Sequence, residues 1–224
     1  IAGPPPLNPE ASVGKSLIFD TNLSEPVGVS CGSCHLPSAG FTFPNPQTNA
    51  SIGVAPGAVP GRFGFRAAPQ ISYAAFIPEG SPRFSTVFSL YIAGQFWDGH
   101  ASGLEDQVHF PLLSPNEMNN RSASGPDPAK VVQKVAAAPY AAAFKGAFGD
   151  DIFEQPTEDV MNAIATAVAA YERSEEVSPF SSRYDAWQAG KVELTDSELN
   201  GLRLVTGTWT GRPDGAIFPR FAHC

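Results

Sequence analysis

Five consecutive residues, Cys31-Gly-Ser-Cys34-His35, carry the clearest chemistry in this sequence. Two thiols three positions apart with an imidazole directly after the second fit three kinds of site. A structural zinc site would need four ligands, usually from a second Cys/His pair at knuckle spacing, and no such pair follows. A thioredoxin-like redox pair would sit after a strand in a βαβ pattern, which the flanking sequence lacks. The third reading is covalent haem attachment through C-x-x-C-H. There the two thiols form thioethers with the two haem vinyl groups, and the following histidine lies under the iron. The spacing therefore predicts one haem c held by Cys31 and Cys34, with His35 as an axial iron ligand, attached in an oxidising or export compartment.

Other residue types able to do chemistry are sparse. Taken alone, Trp97 reads as core packing, since aromatic side chains bury large areas. Glu117, in Pro-Asn-Glu, reads alone as a surface turn residue. His100 and His109 fit solvated or hydrogen-bonded histidines. Met118 and Met161 are the only methionines, and hence the only thioethers available to an iron.

The elements that must position these groups read as helices. Asn8-Pro9 is an N-cap followed by proline at the first helical position, opening a helix to about Asp20 with Val13, Leu17 and Ile18 on its buried stripe. Residues 26–35 form a loop or short turn bearing the cysteines. Residues 36–85 hold no long helix and are dense in Pro, Gly, Ser and aromatics. A segment of that length packs over something functional, here a cofactor. A short helix starts near Ala101. Asp127-Pro128 opens another, with Val131, Val132 and Val135 on one face. A third runs from Thr157 to Ser174, with Val160, Ile164, Val168 and Tyr171 at helical spacing. Thr195-Asp-Ser-Glu198 is a capping box for a helix through Val205. Strand signals are weak. The fold reading is all-α, a cytochrome c-like haem domain with long ordered loops.

Composition sets the outer limits. With 42% hydrophobic residues the 224-residue chain can bury a sizeable core, and with 16% charged it is no disordered tail. The net charge of −8 argues against nucleic-acid binding, which needs a basic footprint, and suits a basic or dipolar redox partner. No apolar run reaches the roughly 18 residues of a membrane span. The first residue, Ile1, reads as a processed start, as after removal of a signal peptide.

Taken in order, several motifs resemble the bacterial di-haem cytochrome c peroxidase/MauG family over nearly the whole chain. They are Val13-Gly-Lys-Ser-Leu-Ile-Phe-Asp20, Ser30-Cys-Gly-Ser-Cys-His35, Gly40-Phe-Thr42, Gln95-Phe-Trp-Asp-Gly99, Leu104-Glu-Asp-Gln107 and Pro115-Asn-Glu-Met118. Leu194-Thr-Asp-Ser-Glu-Leu199 and Gly201-Leu-Arg-Leu204 resemble the helix before that family's second haem. The resemblance implies that His35 is the proximal ligand of a peroxide-reacting haem. It places Trp97 between two haems as an electron relay. Gln107 and Glu117 become polar residues of the peroxide pocket, with Glu117 as acid–base group. It implies a domain over residues 1–176, with 177–224 as the incomplete start of a second cytochrome c-like haem domain and Cys224 at the place of its first cysteine. A second haem is expected if the chain continues past Cys224.

The sequence departs from the family pattern at two further places. Where many members carry a distal histidine, Ser51-Ile-Gly-Val54 offers Val54, and no histidine lies between His35 and His100. The asparagine that helps bind an interdomain calcium is replaced within Arg66-Ala-Ala-Pro69, so a calcium there would lack that ligand. The resulting expectation is an exported, periplasmic haem oxidoreductase that reduces hydrogen peroxide or uses it to oxidise a protein substrate. Its partner would be a small redox protein, a cytochrome c or cupredoxin, or that protein substrate. The iron face opposite His35 would be open. The alternative is a mono-haem electron-transfer cytochrome c with Met or His as sixth ligand. A third reading is a haem-based sensor.

Overall fold

The computed structural model describes residues 4–206. Cys224 and Trp209, to which the sequence reading assigned roles, lie outside them. The chain divides into two units, residues 1–179 and residues 180–224.

The first unit is helical, as the periodicity predicts. Helix α1 spans Pro9–Phe19, opened by the Asn8 side chain, which accepts from the Ala11 N–H at 2.8 Å. Helix α2 is the single turn Cys31–Cys34 and α3 is Pro46–Ser51. Helix α4 spans Leu104–Leu113, α5 Pro128–Ala136, α6 Ala141–Phe148 and α7 Thr157–Glu172. Two small antiparallel hairpins accompany them, β1 (Arg83–Ser85) with β2 (Leu90–Ile92) and β3 (Arg121–Ser122) with β4 (Gly125–Pro126). The helix expected near Ala101 begins three residues later. A bridge between Gln95 and Ala101 holds that stretch in a closed loop, with the Gln95 N–H donating to the Ala101 carbonyl at 2.7 Å.

Helix α7 is the hub, packing against α1, α4 and α5. Its positions Val160, Ile164, Val168 and Tyr171 are buried, as are Val13, Leu17 and Ile18 of α1 and Val131 and Val135 of α5. Gly14 explains the glycine in the α1 signature. A Cβ there would stand 1.8 Å from the Ala167 carbonyl oxygen, so only glycine lets the two backbones approach this closely. Met118 and Met161 both lie in this core, 2% and 3% exposed. The mono-haem alternative called for Met or His as sixth ligand, and the apolar packing of both methionines disfavours its methionine form.

The second unit, described to Thr206, carries α8 (Arg183–Gln188) and α9 (Asp196–Thr206). The capping box at Thr195 forms, its N–H donating to Glu198 Oε2 at 2.7 Å. Trp187 is half-buried beside Tyr184, and no residue of this unit is buried among those described.

Candidate functional site

The Cys-Gly-Ser-Cys turn is built by its two middle residues as much as by its cysteines. A Cβ on Gly32 would meet the Phe19 ring at 2.4 Å, so the glycine seats α2 against the end of α1. Ser33 Oγ accepts from the Ser30 N–H at 3.0 Å and closes a capping box over the turn. His35 follows, its N–H donating to the Cys31 carbonyl at 2.9 Å. The chain then turns back, with the Phe41 N–H donating to the Leu36 carbonyl, and Phe41 takes a left-handed backbone at φ 59°. That conformation is rare for a bulky side chain, and it aims the Phe41 carbonyl at His35 Nδ1, 3.2 Å away. The Pro69 carbonyl also bonds the ring; both carbonyls favour the charged imidazole, but burial outweighs them and lowers the His35 pKa. A neutral ring with its proton on Nδ1 keeps the Nε2 lone pair for a metal, the state an axial ligand requires.

Burial pushes the Cys31 thiol up to about 12 and the Cys34 thiol up to about 11. A redox-active pair or a zinc thiolate site needs the opposite shift. Among the described residues, no group of three or more His, Cys, Asp or Glu is arranged to hold a metal ion. Two half-buried, protonated thiols beside a neutral, oriented imidazole suit a c-type haem, so the residues fit that group. The loops between α2 and α4 add a further sign. They leave Phe65, Phe76, Phe88 and Trp97 at 64–86% exposure, more bare aromatic surface than a folded domain usually shows without something to cover it.

Glu117 comes to this centre from α4. Pro111 has no N–H to give the Gln107 carbonyl, and the chain then folds back over the last turn of the helix. The Met118 N–H donates to the Pro111 carbonyl at 3.1 Å and the Asn119 N–H to the Ser114 carbonyl at 2.9 Å. Glu117 sits half-buried in this turn, close enough that its charge acts on both cysteine thiols. Burial raises its pKa against the opposing Ser114 hydroxyl, which donates to the carboxylate. The turn is held from two sides. Asn120, fully buried, donates to the Leu23 carbonyl at 2.7 Å and the Leu112 carbonyl at 2.9 Å, and accepts from Lys134 Nζ at 3.0 Å. Lys134 also donates to the Ser24 carbonyl at 2.6 Å and pairs with Glu25 at 3.2 Å. Asn119 donates to the Glu25 carbonyl, and the Glu25 N–H to the Met118 carbonyl. This network ties the Glu117 turn to the segment that leads into Cys31. Nothing in the local sequence marks Asn120 or Lys134, because their partners lie far away along the chain.

From the other side the loop carrying Val54 docks on the same turn. The Ala58 N–H donates to the Glu117 carbonyl at 2.7 Å, and Arg62 donates to the Pro115 carbonyl at 3.2 Å. A Cβ on Gly57 would stand 2.1 Å from the Asn116 carbonyl oxygen. The segment that follows Val54, residues 57–62, therefore borders the Glu117 turn directly.

Trp97 is displayed, not packed in the core: it is 65% exposed, and its indole N–H donates to the Ala67 carbonyl at 2.8 Å. Its loop is anchored by the buried Gln95 amide, which donates to the Ala74 carbonyl at 3.1 Å. Gly99, at φ 72°, leaves no space for a Cβ, which would meet Pro82 Cγ at 2.4 Å. Arg66 pairs with Asp98 at 2.6 Å, and Asp98 also holds His100 Nδ1 at 2.5 Å. His100 stacks on Phe96 and meets Phe110 edge-on. Segment 66–69 links the two groups, since Ala67 accepts from Trp97 and Pro69 from His35. Gln107 is half-buried on α4, one turn before Phe110. His109 is half-buried on the same helix.

Among the described residues no helix is long and apolar enough to cross a membrane. Residues 8–193 match the family model described as di-haem cytochrome c peroxidase. The chain is 34% identical over 203 residues to the methylamine utilization protein MauG of Paracoccus denitrificans, covering 90% of this chain and 50% of that protein. It is 34% identical over 203 residues to a cytochrome c551 peroxidase of Nitrosomonas europaea, covering 88% of this chain and 49% of that protein. The diheme peroxidase BthA of Burkholderia thailandensis superposes with a TM-score of 0.74 at 36% identity, over 91% of this chain and 47% of that structure. The chain thus spans about half the length of these relatives. With an all-α fold, an attachment turn of the expected form and a match over most of its length, the chain belongs to the di-haem cytochrome c peroxidase family.

Proposed function

We propose that this chain is the peroxide-reacting half of a di-haem peroxidase, with haem c bound through Cys31 and Cys34 and ligated by His35. The observation that carries this is the convergence of a half-buried carboxyl, Glu117, on the cysteine pair, with a neutral His35 beside it. The haem supplies the oxidising chemistry. The residues around it manage protons and access. Glu117 moves a proton between the two oxygens of hydrogen peroxide, and its raised pKa suits a group that must both take and return it. Gln107 is assigned a supporting polar role in the same pocket. Trp97 is assigned to electron delivery, supported by its exposed position and its hydrogen bond to the segment that also bonds His35.

A haem held by Cys31, Cys34 and His35 would leave its other face for peroxide. Met118 and Met161 are committed to the core, and the Val54 loop bordering Glu117 brings no coordinating side chain. The family and the double length of the relatives support a second haem borne elsewhere in the whole protein. The electron donor is a small redox protein of the cytochrome c or cupredoxin class, or the oxidised partner is a protein substrate. The compartment is the periplasm, where c-type haem is attached.

The test is a pyridine haemochrome assay followed by single-turnover mixing with peroxide. About one haem c is expected at this motif. Glu117→Gln should retain the haem and slow the peroxide reaction by roughly 10²–10⁴-fold, the usual worth of a general acid–base group. Wild-type rates in that variant would remove Glu117 from the mechanism.

A further inference from the structure

One buried acid takes no part in the chemistry above. Glu172 is the last residue of α7, 4% exposed, and its Oε2 has no hydrogen-bond partner. The neighbouring cation does not rescue it. The Arg173 guanidinium is taken up by Glu105 on α4, with Nη1 to Oε1 at 2.5 Å and Nη2 to Oε2 at 3.0 Å, and Glu79 lies at 3.5 Å. Position adds to the cost of a charge. The end of α7 carries the negative pole of its helix dipole, where a carboxylate is disfavoured. Burial, the helix end and the Glu105 charge outweigh the favourable pull of Arg173, so ionising Glu172 in place is expensive unless a further positive charge arrives nearby.

The geometry supplies a place for that charge. Helix α7 packs on α1, α1 packs on α2, and Cys31 rests against the core cluster that includes Val168 and Tyr171 of α7. Glu172 is close enough to Cys31 that its charge acts on the thiol. A haem joined at Cys31 would lie within electrostatic reach of this carboxyl, in an interior where Coulomb interactions are weakly screened.

We propose that Glu172 is a redox-linked proton site for the haem attached at Cys31: it binds a proton when that haem gains an electron and releases it when the electron leaves. This rests on the haem reading above. The balance is one electron from a one-electron donor, one proton from water onto Glu172, and no net charge added to the interior. Oxidation reverses both. The groups acting on Glu172 are Arg173 on its own helix and Glu105 on α4, with Cys31 facing it from α2. Cys31 is itself faced by Glu117 and by Tyr140, whose hydroxyl donates to Asp20. Burial pushes the Glu172 carboxyl up to about 8, so the coupling falls in the neutral range.

The test is a spectroelectrochemical titration of this haem in the haem-loaded protein at pH values spanning the neutral range. In the wild type the midpoint potential should fall toward one proton per electron, about 59 mV per pH unit for a tenfold change in proton activity. Glu172→Gln should flatten that slope, and Glu117→Gln should leave it. A slope that survives Glu172→Gln, or that vanishes in Glu117→Gln instead, overturns the proposal. Should Glu172→Gln fail to fold, infrared redox-difference spectra of protein labelled with ¹³C-glutamate carry the test. A labelled carboxylic acid signal gained on reduction, in both wild type and Glu117→Gln, supports the assignment. Its absence refutes it. A preparation with no covalent haem by pyridine haemochrome defeats the haem reading itself, whereas haem present with a flat wild-type slope defeats only this inference.

Discussion

Asn120→Leu is the sharpest probe of how the Glu117 turn is held. Leucine is close to asparagine in size, so the substitution removes hydrogen bonding with little change of volume. Three bonds are lost at a residue with 0% exposure: two to the carbonyls of Leu23 and Leu112, and one from Lys134 Nζ. The Leu23 carbonyl is left unpartnered, at about 1–3 kcal/mol; the Leu112 carbonyl keeps the backbone N–H of residue 120 and loses a bond worth about 0.5–1.5; the bond from the charged Lys134 is worth about 1.5–3, giving roughly 3–7 kcal/mol in all. Lys134 keeps its bonds to Ser24 and Glu25, which favours the lower part of that range. For a chain of this size about 1 kcal/mol moves the midpoint by roughly 2–4 °C, so a fall on the order of 10–20 °C is expected. Asn120→Ala should do less harm. It leaves a space bordered by two carbonyls and an ammonium, and a water needs only two to four such partners.

The assay is thermal unfolding of both variants with haem content checked, followed by peroxide mixing. Because Asn120 and Asn119 join the Glu117 turn to residues 23–25, the leucine variant should also slow the peroxide reaction while keeping its haem. A midpoint within about 2 °C of wild type would refute the energetic argument, since that corresponds to about 1 kcal/mol or less. Leucine and alanine variants of equal stability would refute the role given to water. Lowered stability with an unchanged peroxide rate would separate the network from the positioning of Glu117.

Gly14→Ala should destabilise the protein by at least about 1–3 kcal/mol, the usual cost of overpacking, since its Cβ would meet the Ala167 carbonyl at 1.8 Å; an unchanged unfolding midpoint would contradict the close α1–α7 approach. The Glu172 carboxyl, raised from 4.5 to about 8 in the folded state, makes stability pH-dependent in a defined direction. The folded protein keeps this proton where the unfolded chain has lost it, so the contribution is full below pH 4.5 and lost as pH rises through about 8. Denaturant midpoints of the reduced protein should therefore fall across that window, and Glu172→Gln should flatten the fall. If the iron face opposite His35 is open, as proposed, resting ferric protein should give a high-spin electron paramagnetic resonance signal from the haem at Cys31; a purely low-spin signal would show that a side chain closes it.

What the sequence made legible was what is local. The attachment motif declares itself within five residues. Helices α1, α5 and α7 follow from caps and apolar spacing, because each buries one continuous stripe. Helix α6 escaped that reading because it is short and carries Gly146, with Phe144 as its one buried residue. The Asn120–Lys134 network was illegible for a different reason. Asn120 bonds Leu23, 97 positions away, and Lys134 bonds Ser24, 110 positions away, so neither partner is signalled by neighbouring residues. Glu172 carries no mark in the sequence, since its burial and the commitment of Arg173 to Glu105 are both set by tertiary packing. Trp97 was legible by motif and misread by type, since an aromatic residue is expected inside and this one is exposed.

The electrostatics of the centre follow a single pattern. Burial drives each titratable group around the attachment turn toward its neutral form: Glu117 and Glu172 upward, His35 downward. The two thiols are pushed upward as well, and attachment would remove them from titration altogether. The fixed ion pairs stand further out, Arg173 with Glu105 and Arg66 with Asp98, on side chains that remain accessible to solvent. A centre lined by neutral groups has little permanent charge with which to oppose a change on a cofactor. It does have, in Glu172, a carboxyl proposed to answer such a change by gaining or losing a proton. In an interior of low effective dielectric, one unit of charge on the cofactor outweighs the outer pairs, which water screens. On the proposal above, proton movement at Glu172 follows the charge at the haem, and the outer ion pairs serve to hold the loops and helices around it.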